Sequence, residues 1–229
     1  MLLFLALLPG IVLLCLVYGH DKVEKEPVGL LIKLFLLGVL STIPACIIEV
    51  ALDSAVKTSF SWSKMLYLAV KCYLIIAIAE EGCKFFFLKM STWKSPDFNF
   101  TFDGVVYAVT VSLGFATFEN IIYVFGTKKL SVAIMRALFS VPGHAMFAVY
   151  MGIYYGIAKL SESYMDTAGR DKNIHRGLLM AILFHGTYDF CLMTGIPVLV
   201  ICFFVCEIII TFKTYKKLKL VAGADRRIS

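Results

Sequence analysis

Apolar residues in this chain do not alternate with polar ones at the spacing of an amphipathic helix or strand; they run in long blocks separated by short polar links. Seven blocks, at 2–18, 28–52, 65–90, 104–125, 142–160, 176–193 and 198–212, are long enough, or nearly so, to cross a hydrocarbon core that needs roughly 20 helical residues. The pattern predicts an all-α, polytopic transmembrane helix bundle of about seven to eight spans, forming one integral-membrane domain over residues 1–229. The stretch 130–140, with Arg136 embedded in it, is too short to span alone. It reads as an interfacial helix, a re-entrant segment, or the start of one long broken helix.

Composition agrees with the pattern: 60% of residues are hydrophobic and 17% charged, against about a quarter charged in soluble domains. The seven cysteines lie almost entirely inside the apolar blocks without zinc-ligand spacing, so they read as small packing residues and not as a disulfide framework. The net charge of +6 is concentrated at Lys213, Lys216, Lys217, Lys219, Arg226 and Arg227. A basic segment of this kind after the last apolar block reads as a cytoplasmic tail over 213–229 and not as a nucleic-acid patch. Seven spans then put the 161–175 loop inside, and the uncharged Gly195 turn and the N-terminus outside, in a multi-pass cell-membrane protein. No basic region precedes the first block, which therefore reads as a span and not as a cleaved leader.

The exceptions to the apolar pattern carry the chemistry. Glu80, Glu81 and Lys84 interrupt the third block, Glu119 the fourth, and His185 and Asp189 the sixth, while His144 stands at the start of the fifth. A charge at membrane depth costs about 2.5–3.5 kcal/mol on insertion scales, so each needs a reason. Glu80 with Lys84, Phe115 with Glu119, and His185 with Asp189 are each four residues apart and share a helix face. Taken singly, each has a structural reading: an intramembrane ion pair, an interhelical hydrogen bond, a locked His–Asp pair, a helix-start cap, and plain packing for Phe115. One polar cavity shared by four helices explains them together.

Peptide hydrolysis suits such a cavity, because it needs a base for water, groups that stabilise the oxyanion and a proton donor for the leaving amine. Other intramembrane designs lack their signatures: there is no G-x-S-x-G, no H-E-x-x-H and no G-x-G-D, and Asp189 is the lone aspartate deep in a span. Two alternatives stay open, a metal-dependent membrane hydrolase and a proton-coupled transporter or non-catalytic scaffold.

These residues resemble the PrsW-type membrane proteases, within the larger group of type II CAAX prenyl endopeptidases and bacteriocin-processing membrane proteins. The matching pattern is E-E-x-x-K at Glu80, Glu81 and Lys84, F-x-x-x-E at Phe115 and Glu119, a lone His144, and H-x-x-x-D at His185 and Asp189. All four fall in order within the motif core, 65–193. The resemblance implies a metal-independent glutamic-type protease, with no cofactor, making the first cut in a single-span anti-sigma factor on its extracytoplasmic side and so releasing a sigma factor under stress. It implies that Glu80 or Glu81 activates water, that Glu119 helps orient it, that His185 with Asp189, and His144, form the oxyanion side, and that Lys84 tunes the glutamates. Lys84 stands where prenyl endopeptidases have an arginine one position further on, which disfavours a prenylated substrate.

Overall fold

The computed structural model describes residues 2–59 and 63–228, and among these it is helical, with one isolated bridge as its sole extended pairing. Seven helical rods follow in order: α1 Leu2–His20, α2 Val28–Ser59, α3 over 64–92, α4 Asp103–Thr127, α5 Leu130–Ser163, α6 Thr167–Met193 and α7 Pro197–Gly223. Of these, α1, α2, α4, α5 and α7 are long and apolar enough to cross a membrane. Helices α3 and α6 have the length, but their apolar runs are interrupted by Glu80, Glu81 and Lys84 and by His185 and Asp189. Large apolar side chains such as Phe4, Ile47, Phe86, Ile201 and Phe212 cover the outside, as in a protein solvated by lipid.

Helix α4 is the axis of the bundle. Every residue from Asp103 to Thr117 is buried, packed between α2 and α5 with α1 alongside. Its close approach to α2 depends on two reciprocal glycines: a Cβ on Gly38 would lie 2.0 Å from the Val111 carbonyl oxygen, and one on Gly114 would lie 2.1 Å from that of Phe35. Small residues at such crossings let backbones meet and replace the hydrophobic drive that lipid removes.

Two helices carry a π-helical turn. In α3 it covers Val70–Ile76, directly before Glu80; in α5 it covers Arg136–Ser140, directly before His144. Widening the helix by an extra residue rotates the succeeding turns about the axis, which is why such features cluster where side chains must be re-aimed.

The structure decides the ambiguous stretch. Residues 130–140 continue through the π turn into 141–163 as one 34-residue helix, so they form neither an eighth span, nor an interfacial helix, nor a re-entrant segment. The C-terminal boundary also moves. Helix α7 runs past Phe212 to Gly223, so the basic residues from Lys213 to Lys219 are helical. The next residues turn back onto the start of α4: Phe100 and Arg227 form an antiparallel bridge, and Asp225 Oδ1 accepts from Thr101 Oγ1 at 2.9 Å and from the Phe102 amide at 2.8 Å. Helix ends leave amides unpaired, and a carboxylate from elsewhere in the chain satisfies one here.

Candidate active site

The intramembrane polar residues of four helices meet in one cluster. On α3, i+3 and i+4 spacing turns Glu81 and Glu80 toward Lys84, whose Nζ donates to Glu81 Oε1 at 2.7 Å and to Glu80 Oε2 at 3.1 Å. The ammonium also donates to His144 Nδ1 at 3.1 Å and lies 4.0 Å from the centroid of the Phe115 ring. Phe115 therefore does more than pack, since its face supplies a cation–π contact to a buried charge.

Because Lys84 has donors only, His144 Nδ1 must accept, which leaves the proton on Nε2; that N–H donates to Glu119 Oε2 at 3.1 Å. Ser112 Oγ donates to the His144 carbonyl at 2.9 Å and fixes α5 against α4. His185 presents Nδ1 to Glu81 Oε1 at 2.8 Å, and its Nε2 faces Asp189 Oδ2 at 3.5 Å and Glu80 Oε2 at 3.8 Å. The two imidazoles meet edge to face at 5.1 Å, and Phe147 stacks on His185 at 5.3 Å. All eight residues singled out in the sequence thus belong to one network.

Surroundings differ within the cluster. A cavity of about 970 Å³ is lined by α2 between 42 and 53, α3 between 71 and 80, α4 between 115 and 123, α5 between 135 and 147, α6 between 185 and 193, and Phe204 of α7. Because neighbouring helices alternate in direction, these ranges all lie in one half of the bundle, toward the end where α4 turns into α5 and α6 into α7. Glu80, Glu119, His144, His185 and Asp189 border the cavity. Glu81 and Lys84 do not; they are 0% and 2% exposed and lie behind its wall. Glu81 Oε2 has no hydrogen-bond partner among the described residues.

Two groups at the cavity were not assigned to the site from the sequence. Arg136 donates from Nη2 to Glu119 Oε2 at 2.8 Å and from Nε to Asn120 Oδ1 at 3.2 Å, so Glu119 is held by both Arg136 and His144. Its partner lies on another helix, so spacing carries no trace of the pairing; being an arginine within an apolar stretch was the available signal. Glu49, on the α2 wall of the cavity, was passed over in a long apolar span, where it has no charged neighbour at helix spacing to draw attention except Asp53, one turn on.

Donor atoms of Glu80, Glu81, His144 and His185 lie within 4.8 Å of one another, a donor set of the kind that binds zinc. Their arrangement does not fit a metal as it stands. Lys84 Nζ is hydrogen-bonded to three of the four, so the seat at their focus is filled by the chain's own cation, and a dication there would have to expel it.

A carboxylate–imidazole network facing a cavity inside a membrane helix bundle holds the kinds of group that intramembrane hydrolysis requires. The chain belongs to the PrsW family: the family model described as "PrsW family intramembrane metalloprotease" matches residues 26–212. It is an intramembrane protease of that family. Among its relatives, the protein named Protease PrsW of Bacillus subtilis is 37% identical over 184 residues, 80% of this chain and 79% of that protein. That of Oceanobacillus iheyensis is 35% identical over 184 residues, with the same two shares. That of Clostridioides difficile is 32% identical over 195 residues, 84% of this chain and 79% of the relative. No solved structure matches this chain.

Proposed function

We propose that this protease makes the first cut in a single-span anti-sigma factor, and that a water activated by Glu80 performs it without a metal. The observation that carries this reading is the split between the two glutamates. Glu80 borders the cavity with one oxygen bound to Lys84, while Glu81 is sealed behind the wall between Lys84 and His185. A base must reach the water it deprotonates, and only Glu80 of the two adjoins space that a substrate can enter. Glu81 and Lys84 then act as its fixed support.

The other roles follow from position. Glu119, held by Arg136 and His144, faces the same cavity and orients the attacking water from the far side. His185, held through Nδ1 by Glu81, donates from Nε2–H to the developing oxyanion, turning that N–H away from Asp189, 3.5 Å from the same nitrogen; a preorganised donor of this type is worth about 2.7–4 kcal/mol. The proton taken by Glu80 passes to the leaving amine, so no group outside the site is needed.

Orientation supports a cut on the outer side. The end of the bundle opposite the cavity carries Lys22, Lys25, Lys94, Arg170, Lys172 and the basic end of α7, and basic residues favour the cytoplasmic face. The cavity half then faces outward, and the C-terminus lies in the cytoplasm.

The test is co-expression with a candidate single-span anti-sigma factor: wild type cleaves it, and Glu80→Gln and His185→Ala do not while still accumulating in the membrane. A metal-dependent mechanism is the rival reading, favoured by the four-donor cluster and by the wording of the family description. Activity of purified protein that survives exhaustive chelation removes it; activity lost on chelation and restored by zinc overturns the metal-free mechanism.

A further inference from the structure

Among the described residues, charged groups on the cavity wall are paired, with one exception. Asp53 is bound by Lys57 at 2.8 Å, by Lys71 at 3.3 Å and by the Tyr67 hydroxyl; Glu119 is bound by Arg136, and Glu80 by Lys84. Asp189 faces His185. Glu49, half-buried on the same wall, has no hydrogen bond or ion pair among the described residues. It projects from the stripe of α2 that also presents Cys46, Val50 and Asp53 to the cavity, one turn from Asp53 and toward the catalytic cluster.

A carboxylate half-withdrawn from water in a largely apolar wall, with no cation of its own, is a weak structural element, because its desolvation is not offset. It becomes favourable when something brought into the cavity supplies the positive charge. We infer that Glu49 is a specificity residue of this protease, binding a lysine or arginine of the substrate near the scissile bond; this rests on the proteolytic reading above.

Helix register says how near. The Asp53–Lys71 contact aligns α2 with antiparallel α3. At about 1.5 Å of rise per residue, Glu49 lies about 6 Å from that pair along the axis and Glu80 about 13 Å, which leaves about 7 Å between the two glutamates. A substrate must be extended to be cut, and an extended chain advances about 3.3 Å per residue, so Glu49 is about two residues from the bond attacked at Glu80. Of the two glutamates, Glu49 lies nearer the bundle end where α2 turns into α3, which we infer to be the cavity mouth. The inferred determinant is thus a basic residue two, or by side-chain reach three, positions from the cut, on the side where the substrate leaves the membrane at that mouth.

The experiment uses the full-length purified protein in lipid vesicles and single-span peptides that carry Lys, Gln or Glu, in turn, at each of five positions on the mouth side of the cut, which is located by mass spectrometry. Wild type is expected to favour Lys over Gln by roughly tenfold in kcat/KM at one position two or three residues from the cut, and to favour Glu least. Glu49→Gln is expected to bring that ratio close to one, and Glu49→Lys to invert it toward Glu. These are ratios within one preparation, so partial misfolding of a variant does not change them. A wild-type ratio near one at every position, with cleavage proceeding, overturns the inference and leaves the proteolytic reading intact. A Lys preference that persists in Glu49→Gln overturns it equally. No cleavage of any peptide by wild type overturns both.

Discussion

Glu80 and Glu81 are adjacent in the chain and share one lysine, yet Glu80 borders the cavity while Glu81 is 0% exposed and accepts from both Lys84 and His185 through Oε1. One helical step of about 100° thus separates a carboxylate that substrate can reach from one that it cannot.

Replacing each therefore has a different consequence. Glu80→Gln is expected to lower cleavage roughly 10²–10⁴-fold, the range of a lost general base, with thermal stability in detergent close to wild type. Glu81→Gln is expected to lose cleavage together with stability, by about 3 kcal/mol, because a charged group is removed from a buried network. Parallel melting curves and cleavage assays separate the two. Equal stability losses would contradict the assignment.

Lys84 neutralises both carboxylates and stands over Phe115. Lys84→Met keeps the volume and removes the charge, leaving two buried carboxylates uncompensated. A loss of about 3–5 kcal/mol is expected, seen as poor accumulation in the membrane and a lowered Tm.

Arg136 and His144 hold Glu119 from two sides. Arg136→Gln leaves the carboxylate on His144 alone and free to swing. Since misplacement by about 1 Å costs roughly 100-fold, a fall in kcat of that order is expected, with the protein still accumulating. An unchanged kcat would remove Glu119 from the site.

Away from the membrane, the link between α1 and α2 carries a pH effect. Burial pushes the Glu26 carboxyl up to about 7, in spite of the hydrogen bond donated by Tyr107 at 2.5 Å, and burial likewise raises Asp21 to about 6. A carboxyl with a raised pKa in the fold favours the folded state while protonated. That contribution is full below the ordinary carboxylate range near 4 and is lost as pH rises to about 7. Tm should therefore fall between about pH 5 and 7.5, and Glu26→Gln should make that slope shallower; a variant curve parallel to wild type would contradict it.

Much of the fold and the site was legible because lipid imposes simple rules. Blocks of apolar residues marked all seven helices, and charges inside them marked Glu80, Glu81, Lys84, Glu119, His185 and Asp189, because each is costly there. Helix-face spacing linked Glu80 to Lys84 but could not link Arg136 to Glu119, or His144 to Lys84, since these contacts join different helices. The π turn at Val70–Ile76 was invisible for a related reason, since its sequence holds no breaker residue, whereas the one at Arg136–Ser140 is followed by Pro142, which has no N–H to give the Leu138 carbonyl. The helical extension of α7 to Gly223 was hidden by its lysines, which suit a tail as well as they suit a solvated helix end.

The central claim, a Glu80-activated water with Lys84 in the place a metal would need, is tested most directly by one assay. Purified wild type and Glu80→Gln, both exhaustively chelated and checked for metal content, are given a single-span peptide substrate in lipid vesicles. Cleavage by metal-free wild type at the rate of the untreated protein, with none by Glu80→Gln, is the expected result. Loss of wild-type cleavage on chelation with recovery on adding zinc, or cleavage by Glu80→Gln at the wild-type rate, would contradict it.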